Sequence, residues 1–580
     1  MSRNPRPSAP HQAPGSSRGS SRGSRRATLA CVALVAMLVT ACSSAGTSPL
    51  EQDTVEVAAR DGGEIVIGAE QEPDCADWLG TCSGSIWGSY IMQITTVPMA
   101  FNTRREGEDW VPVASSLLAS EPTSETVDGK QVITYEVNPD AVWSDGTPIT
   151  AHDFEYTALE IRDGKDILDK TGYEKIESIE TPDDATVVVT LDEPYASWKQ
   201  LFSSSYGVLP AHLLEGKDRG KLMKDGYDWS GGPWIIDDWS RGTSVTLVPN
   251  PEYWGEQPHL DKVTFQFIGD TAAAFQALKS GQVDALYPSP QLDVMGQIEA
   301  GIPGTRSEAD AQTGNLEAIW LNNSVFPFDS QAVRQALAYS IDRKAIVTRL
   351  FGSLGIDEPA QSFFTPMLSK FGSASFEQYE LDLGRVDEIM SGDGWSKDSS
   401  GFWAKDGRTA SFTVETLAGN KRRDLTLQVL QDQLADAGFE MGINATTPAD
   451  LFGKAAPNGD FQAALYTLID TFPEPLNLSS TLKSTNAPSE ANGFSGINFG
   501  RVDIPGLDDV LDTIDQETDE AARVAASQEA DELIAEAVPA VPMVAVPNVL
   551  LWSEKLGGPI AINPSEGPFW NLEAWGLAEQ

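Results

Sequence analysis

Short runs with the two-residue period of strands alternate with runs of helical period from Gly63 onward, and no repeat or low-complexity block interrupts them. A chain patterned in this way folds as a mixed α/β body with several sheets. Glu64 to Ala69 reads as a first buried strand, and Gln131 to Val137 and Ala185 to Leu191 are β-branched runs bounded by turn residues. Val263, Phe265 and Phe267 alternate at period two. In Ser330 to Leu350 the apolar positions Val333, Ala336, Leu337, Ile341 and Val347 share one helical face, with Asp329 or Ser330 placed to cap it and Gly352 following. Leu427, Leu430, Leu434 and Ala437 do the same before a stop at Gly438.

The residues ahead of this body set where it folds. Six arginines and no acid occur up to Arg26, followed by an apolar run from Ala27 to Ala41. That is the order of a secretory signal, and the run falls short of the roughly 20 residues a membrane-spanning helix needs. It ends in Leu38-Val39-Thr40-Ala41-Cys42-Ser43-Ser44, which resembles a bacterial lipobox with Cys42 as the acylated residue. Ser24-Arg25-Arg26 resembles a twin-arginine start, but Thr28 stands where that motif usually has Phe, so general secretion is the expected route. Residues 1–41 are thus read as signal peptide and 42–62 as a lipidated flexible tether. Cys31 leaves with the signal and Cys42 is acylated, so Cys75 and Cys82 remain. In an oxidising compartment this short loop reads as a disulfide, whereas a metal site would want further His or Cys ligands, which this segment lacks.

Without residues 1–41 the chain keeps 34 basic against 85 acidic side chains, a net charge of −51. Nucleic acids and anionic membrane surfaces bind basic faces, so this balance argues against both. About 540 residues remain, enough for three or four domains. Hydrolase chemistry is not evident: in Gly493-Phe494-Ser495-Gly496 the second glycine comes one residue early for a nucleophile elbow. His-x-x-x-His, Cys-x-x-Cys and phosphate-loop spacings are missing, so no metal, cofactor or catalytic residue is assigned, and ATP hydrolysis would belong to a separate subunit.

Four segments in order resemble one family: Trp143 to Phe154 (WSDGTPITAHDF), Asn250 to Trp254 (NPEYW), Ser280 to Asp284 (SGQVD), and Phe328 to Leu337 (FDSQAVRQAL) continuing to Ile341-Asp342-Arg343. These look structural. Ser144-Asp145-Gly146 is a turn, Thr150 and Asp153 begin a helix, and Gly231-Gly232-Pro233-Trp234 starts a strand. From about Gly63 to Trp575 the chain is similar to the bacterial extracellular solute-binding proteins of family 5, the large peptide and nickel type.

That resemblance implies a type II periplasmic-binding-protein fold, two lobes with crossing hinge strands plus an extra domain inserted in lobe I. By analogy lobe I takes 63–107, 228–315 and 548–580, the extra domain 108–227, and lobe II 316–547. The crossings fall near Leu316 to Asn323 and Pro542 to Trp552. The implied function is the monomeric substrate-binding lipoprotein of an ABC importer. It would be held to the outer membrane face by its lipid, and would pass an oligopeptide to a permease served by ATPase subunits. A nickel complex or sugar as ligand, or a surface scaffold or sensor without transport, are the alternatives. Ligand contacts would come from Trp87 and Tyr90 after the first strand and from Gly419 and Asn420 before a lobe II helix. The family's arginine for a peptide carboxylate, near Leu417, is missing, although Lys421 and Arg422 lie close. The remaining contacts would come from Asp470, Thr471 and Phe472, where an acid meets the peptide amine. Counted without gaps the family's acid falls on Thr471, and a one-residue shift turns a strand side chain to the other face.

Overall fold

The computed structural model describes residues 57–579 apart from 81, 84, 108, 493 and 495. Cys42, the export signal, most of the tether, Gly493 and Ser495 therefore lie outside the described residues.

Three sheets organise the body. The first has seven strands in the order Thr305–Asp310, Asn548–Ser553, Ala285–Leu286, Glu64–Ala69, Lys262–Phe267, Ser244–Pro249, Trp234–Ser240. Glu64–Ala69 runs parallel to both of its neighbours, so Ile65 and Ile67 are closed off from water on the sheet's inner face. The second sheet has five strands in the order Glu440–Thr446, Ser411–Leu417, Ala463–Ile469, Asn315–Leu321, Ala540–Ala545. An antiparallel four-stranded sheet joins Thr123–Val127, Lys130–Glu136, Thr186–Leu191 and Ile176–Glu180, with Ile133, Tyr135, Val187 and Val189 fully buried against the helix Ala151–Asp163.

Local chemistry accounts for the element boundaries. Gly146 takes φ 82° in the turn read from the sequence, and the Asp145 carboxylate accepts the Thr147 N–H at 2.9 Å. Asp153 reaches back to the Thr150 N–H at 2.8 Å and accepts the Ala211 N–H at 2.8 Å, tying the helix start to a second segment. The helix expected over Ser330 to Leu350 is two helices, Gln331–Tyr339 and Arg343–Phe351. Asp342 causes the break: its side chain accepts the Ala345 N–H at 2.9 Å and so starts a new helix, while the Ser340 hydroxyl donates to the Ala336 carbonyl at 2.7 Å. Ser330 holds the N-cap position but gives its hydroxyl to Asp393 instead.

The chain passes between the first and second sheets twice, through residues 311–314 and 546–547. Asn315–Leu321 lies wholly in the second sheet, so the first link precedes the segment expected from the resemblance. Arg219 fixes the loop holding Cys75 and Cys82 to the four-stranded region, pairing with Asp77 in that loop, with Glu160 at 3.0 Å and with Asp166 at 3.0 Å. The Cys75 and Cys82 sulfurs lie 2.07 Å apart. Among the described residues no helix is long and apolar enough to cross a membrane.

Candidate functional site

The candidate site is the seam where the first and second sheets' flanking loops meet beside the two links. On the first side, the segment after Glu64–Ala69 brings Trp87 against Tyr90, Tyr287 and Phe569, with ring centroids 6.1 to 6.2 Å apart. Tyr90 and Tyr287 meet edge to face at 5.7 Å and their hydroxyls are hydrogen-bonded. Burial pushes the Tyr90 phenol up to about 12, although the residue as a whole keeps intermediate exposure, so the hydroxyl is its enclosed end. Trp87 is 4% exposed and serves as core under Tyr90 rather than as free stacking surface. The Tyr287 hydroxyl donates to Asn548 Oδ1 at 2.8 Å, and the same oxygen accepts Asn315 Nδ2 at 3.1 Å, so the aromatic cluster is tied to the strands that leave both links.

On the second side, Gly419 takes φ 90° in an exposed turn and Asn420 caps the helix Lys421–Ala437, its side chain accepting the Arg423 N–H at 3.0 Å. The Asn420 oxygen is thus engaged by its own helix. The helix start reaches the first side, with Lys421 Nζ 3.3 Å from Asp293 and the Arg422 N–H 3.5 Å from Gln291 Oε1.

Two buried acids flank this helix start and the adjoining link. Glu317 receives Arg422 Nη1 at 2.6 Å, Arg423 Nε at 2.7 Å and the Thr467 hydroxyl at 3.2 Å. Burial pushes the Glu317 carboxyl up, but the two guanidiniums outweigh it and hold the group below its ordinary value. Asp470 follows the strand Ala463–Ile469, and its N–H donates to the Gly314 carbonyl of the first link at 2.8 Å. Its carboxylate accepts the Thr365 hydroxyl at 2.9 Å and Asn477 Nδ2 at 2.7 Å. It makes no ion pair among the described residues, and it is 5% exposed. Burial pushes its carboxyl up to about 6, the two neutral donors offsetting only part of the shift.

Thr471 is exposed and its carbonyl accepts the Ser565 hydroxyl, from the first side, at 2.7 Å. Phe472 is buried. Asp470, Thr471 and Phe472 together border a polar cavity of about 380 Å³ whose far wall, from the four-stranded region, includes Glu174, Tyr195 and Gln200. Next to Tyr195 in that wall, the Ala196 N–H donates to the Asp515 carbonyl at 2.8 Å and Arg523 Nη2 to the Ser197 hydroxyl at 2.6 Å.

The structure therefore brings Asp470, Thr471 and Phe472 to one cavity, Trp87 and Tyr90 to one aromatic cluster, and Gly419 and Asn420 to one helix start. Sequence reasoning missed Glu317, Tyr287, Asn548 and Ser565. Glu317 alone carried a signal, as an acid in the otherwise apolar run Leu316 to Leu321. Among the described residues no group of three or more His, Cys, Asp or Glu side chains is placed to hold a metal ion.

Two sheet-bearing lobes joined by two short links, with a further four-stranded domain, define the type II periplasmic-binding-protein class. The chain belongs to the bacterial extracellular solute-binding proteins, family 5, whose middle-region profile matches residues 113–490. It is 27% identical over 540 residues to the oligopeptide-binding protein OppA of Mycobacterium tuberculosis, covering 86% of this chain and 85% of OppA. In fold it is similar to the periplasmic EDTA-binding protein EppA, with a TM-score of 0.78 and 23% identity, covering 91% of this chain and 99% of EppA. The oligopeptide-binding protein AppA of Bacillus subtilis, solved with a nonapeptide, matches with a TM-score of 0.71 and 23% identity over 90% of this chain and 100% of AppA.

Proposed function

We propose that this chain is the substrate-binding lipoprotein of an ABC importer, catching an oligopeptide between its lobes and handing it to a permease. Cys42 carries the lipid, residues 42–62 are the tether, and Cys75 pairs with Cys82. Lobe I takes 63–107, 228–315 and 548–580, the extra domain 108–227 and lobe II 316–547. The protein acts as a monomer and catalyses no reaction, ATP hydrolysis residing in a partner subunit.

The observation that carries the reading is Asp470, a buried carboxylate without a counter-charge beside the first link, bordering a cavity with Thr471 and Phe472. A buried anion held only by neutral donors is unfavourable until a cation arrives, and each of its oxygens keeps a lone pair beyond the bond it already accepts. A peptide amine supplies both charge and donors. The ligands named for OppA and AppA support a peptide. Tyr90 and the turn at Gly419 and Asn420 bound the rest of the ligand, Trp87 backing Tyr90.

Mass spectrometry of ligand released from protein purified without refolding tests this, with peptides carrying free amino ends as the expected result. A second reading, a non-peptide ligand on the same fold, is favoured by the likeness to EppA, and release of a carboxylate chelate would establish it. Cys42→Ala should release the protein from the membrane or block its processing. Retention of a normally processed Cys42→Ala protein at the membrane would refute the lipid anchor.

A further inference from the structure

The links between the lobes border a second cavity that the peptide reading does not use. It has a volume of about 610 Å³, within the range of small-molecule sites. One wall is Ala311 of the first link with Leu316 and Ala545, the residues where the second sheet receives and releases the chain. The opposite wall is the segment 355–374, which contributes Ile356, Phe364 and Thr365. At the rim stand Asp357 and Glu358, and none of the described residues lining the cavity is basic. Lys344 pairs with Glu358 and also attracts Asp357, so two rim acids share one cation. An apolar interior with a net negative charge at its mouth is complementary to an apolar body with a single cationic head.

Its position ties it to closure. Rotation of the lobes is absorbed by backbone torsions in the links, so Ala311 must move against the segment 355–374 when the lobes open. The Thr365 hydroxyl that donates to Asp470 lies in the same wall, and the Met367 side chain lies against Gly314 of the first link.

We propose that this cavity is a binding site for a small cationic amphiphile whose occupancy holds the lobes in the arrangement seen here, with their loops in contact. The effect follows by linkage, since a molecule that fits the cavity in one lobe arrangement shifts the equilibrium toward it by its differential affinity. The regulatory part rests on the two-lobe closing of the proposed function, but the site itself needs no peptide.

Fluorescence titration of the mature protein with auramine O, a compact cationic dye, tests it, with small-angle scattering on the same samples. Wild type should bind one dye saturably, and the radius of gyration should fall without any peptide present. Ala311→Trp and Ser369→Trp place indoles in the cavity from exposed positions, where folding tolerates them. Each should weaken dye binding at least about tenfold, and Asp357→Asn about two- to fivefold, the scale of a rim charge. Binding that neither tryptophan variant weakens would mean the dye coats the acidic surface, and would overturn the proposal. Saturable binding without compaction would overturn its regulatory part. Since every readout is taken without peptide, failure here is separate from failure to find a peptide ligand.

Discussion

Glu317 and Asp470 are both buried carboxylates flanking the same sheet near the links, yet their surroundings treat charge in opposite ways. Glu317 sits between Arg422 and Arg423, and its carboxyl is held down. Asp470 has only Thr365 and Asn477, and its carboxyl is pushed up to about 6. In the first arrangement two guanidiniums share one carboxylate, which locks the helix Lys421–Ala437 to the strand Asn315–Leu321. In the second the carboxylate is held by two neutral donors, with no counter-charge paired to it among the described residues. Burial alone therefore does not decide which way a carboxyl shifts, whereas the presence of a counter-charge does.

The largest effect expected from this contrast is at Glu317. Glu317→Ala leaves two guanidiniums buried without an anion and should destabilise the fold by about 3–5 kcal/mol in urea denaturation. An equal loss in Asp470→Asn would break the comparison, because it would make both acids structural.

Asp470→Asn should instead weaken the co-purifying ligand by about 2–5 kcal/mol in calorimetric titration, the effect of leaving a ligand cation unpaired. Stability at pH 7 should hold or rise. With the folded pKa raised from 3.8 to about 6, the folded chain binds this proton more tightly than the unfolded one between those values. The contribution of Asp470 to stability should therefore fall as pH rises across that window, by up to ~3 kcal/mol, and level off above it. Ligand affinity should run the other way, weakening as pH drops through 6 and the carboxylate is neutralised. In Asp470→Asn the affinity slope should vanish and the stability slope should shrink by this group's share, while Glu308 and Glu573, both raised to about 7, keep theirs. A ligand affinity that is flat with pH in wild type would remove the acid from the site.

Replacing Cys75 and Cys82 by Ser should cost about 2–3 kcal/mol in the chain-entropy account, read as a shift in urea midpoint. Asp77 would keep its hold on Arg219, so the loop should stay docked and ligand affinity should change little. The smallest effect belongs to the exposed pair Lys421–Asp293, where Lys421→Ala should change stability by less than about 1 kcal/mol.

Much of the architecture was legible because strands and turns are written locally. Glu64–Ala69 and the turn at Gly146 follow from period and from residues that accept positive φ. The break at Asp342 was missed because the apolar face continues across it, and only the side chain's bond to Ala345 reveals a new helix start. The site was less legible. Glu317 finds its arginines more than a hundred residues away, and Thr365 finds Asp470 at a similar separation, distances over which periodicity says nothing. At residues 470 and 471 the sequence left one step of register open. The strand's end at Ile469 puts Asp470 beside Thr365 and leaves Thr471 exposed toward Ser565.

Whether the two lobes close over a peptide is decided by small-angle scattering of the mature protein, ligand removed, before and after saturation with a random-sequence oligopeptide pool. Binding should be saturable and the radius of gyration smaller, as the lobes close over the peptide. Saturable binding with no compaction, or no binding of any peptide in the pool, would contradict that closure.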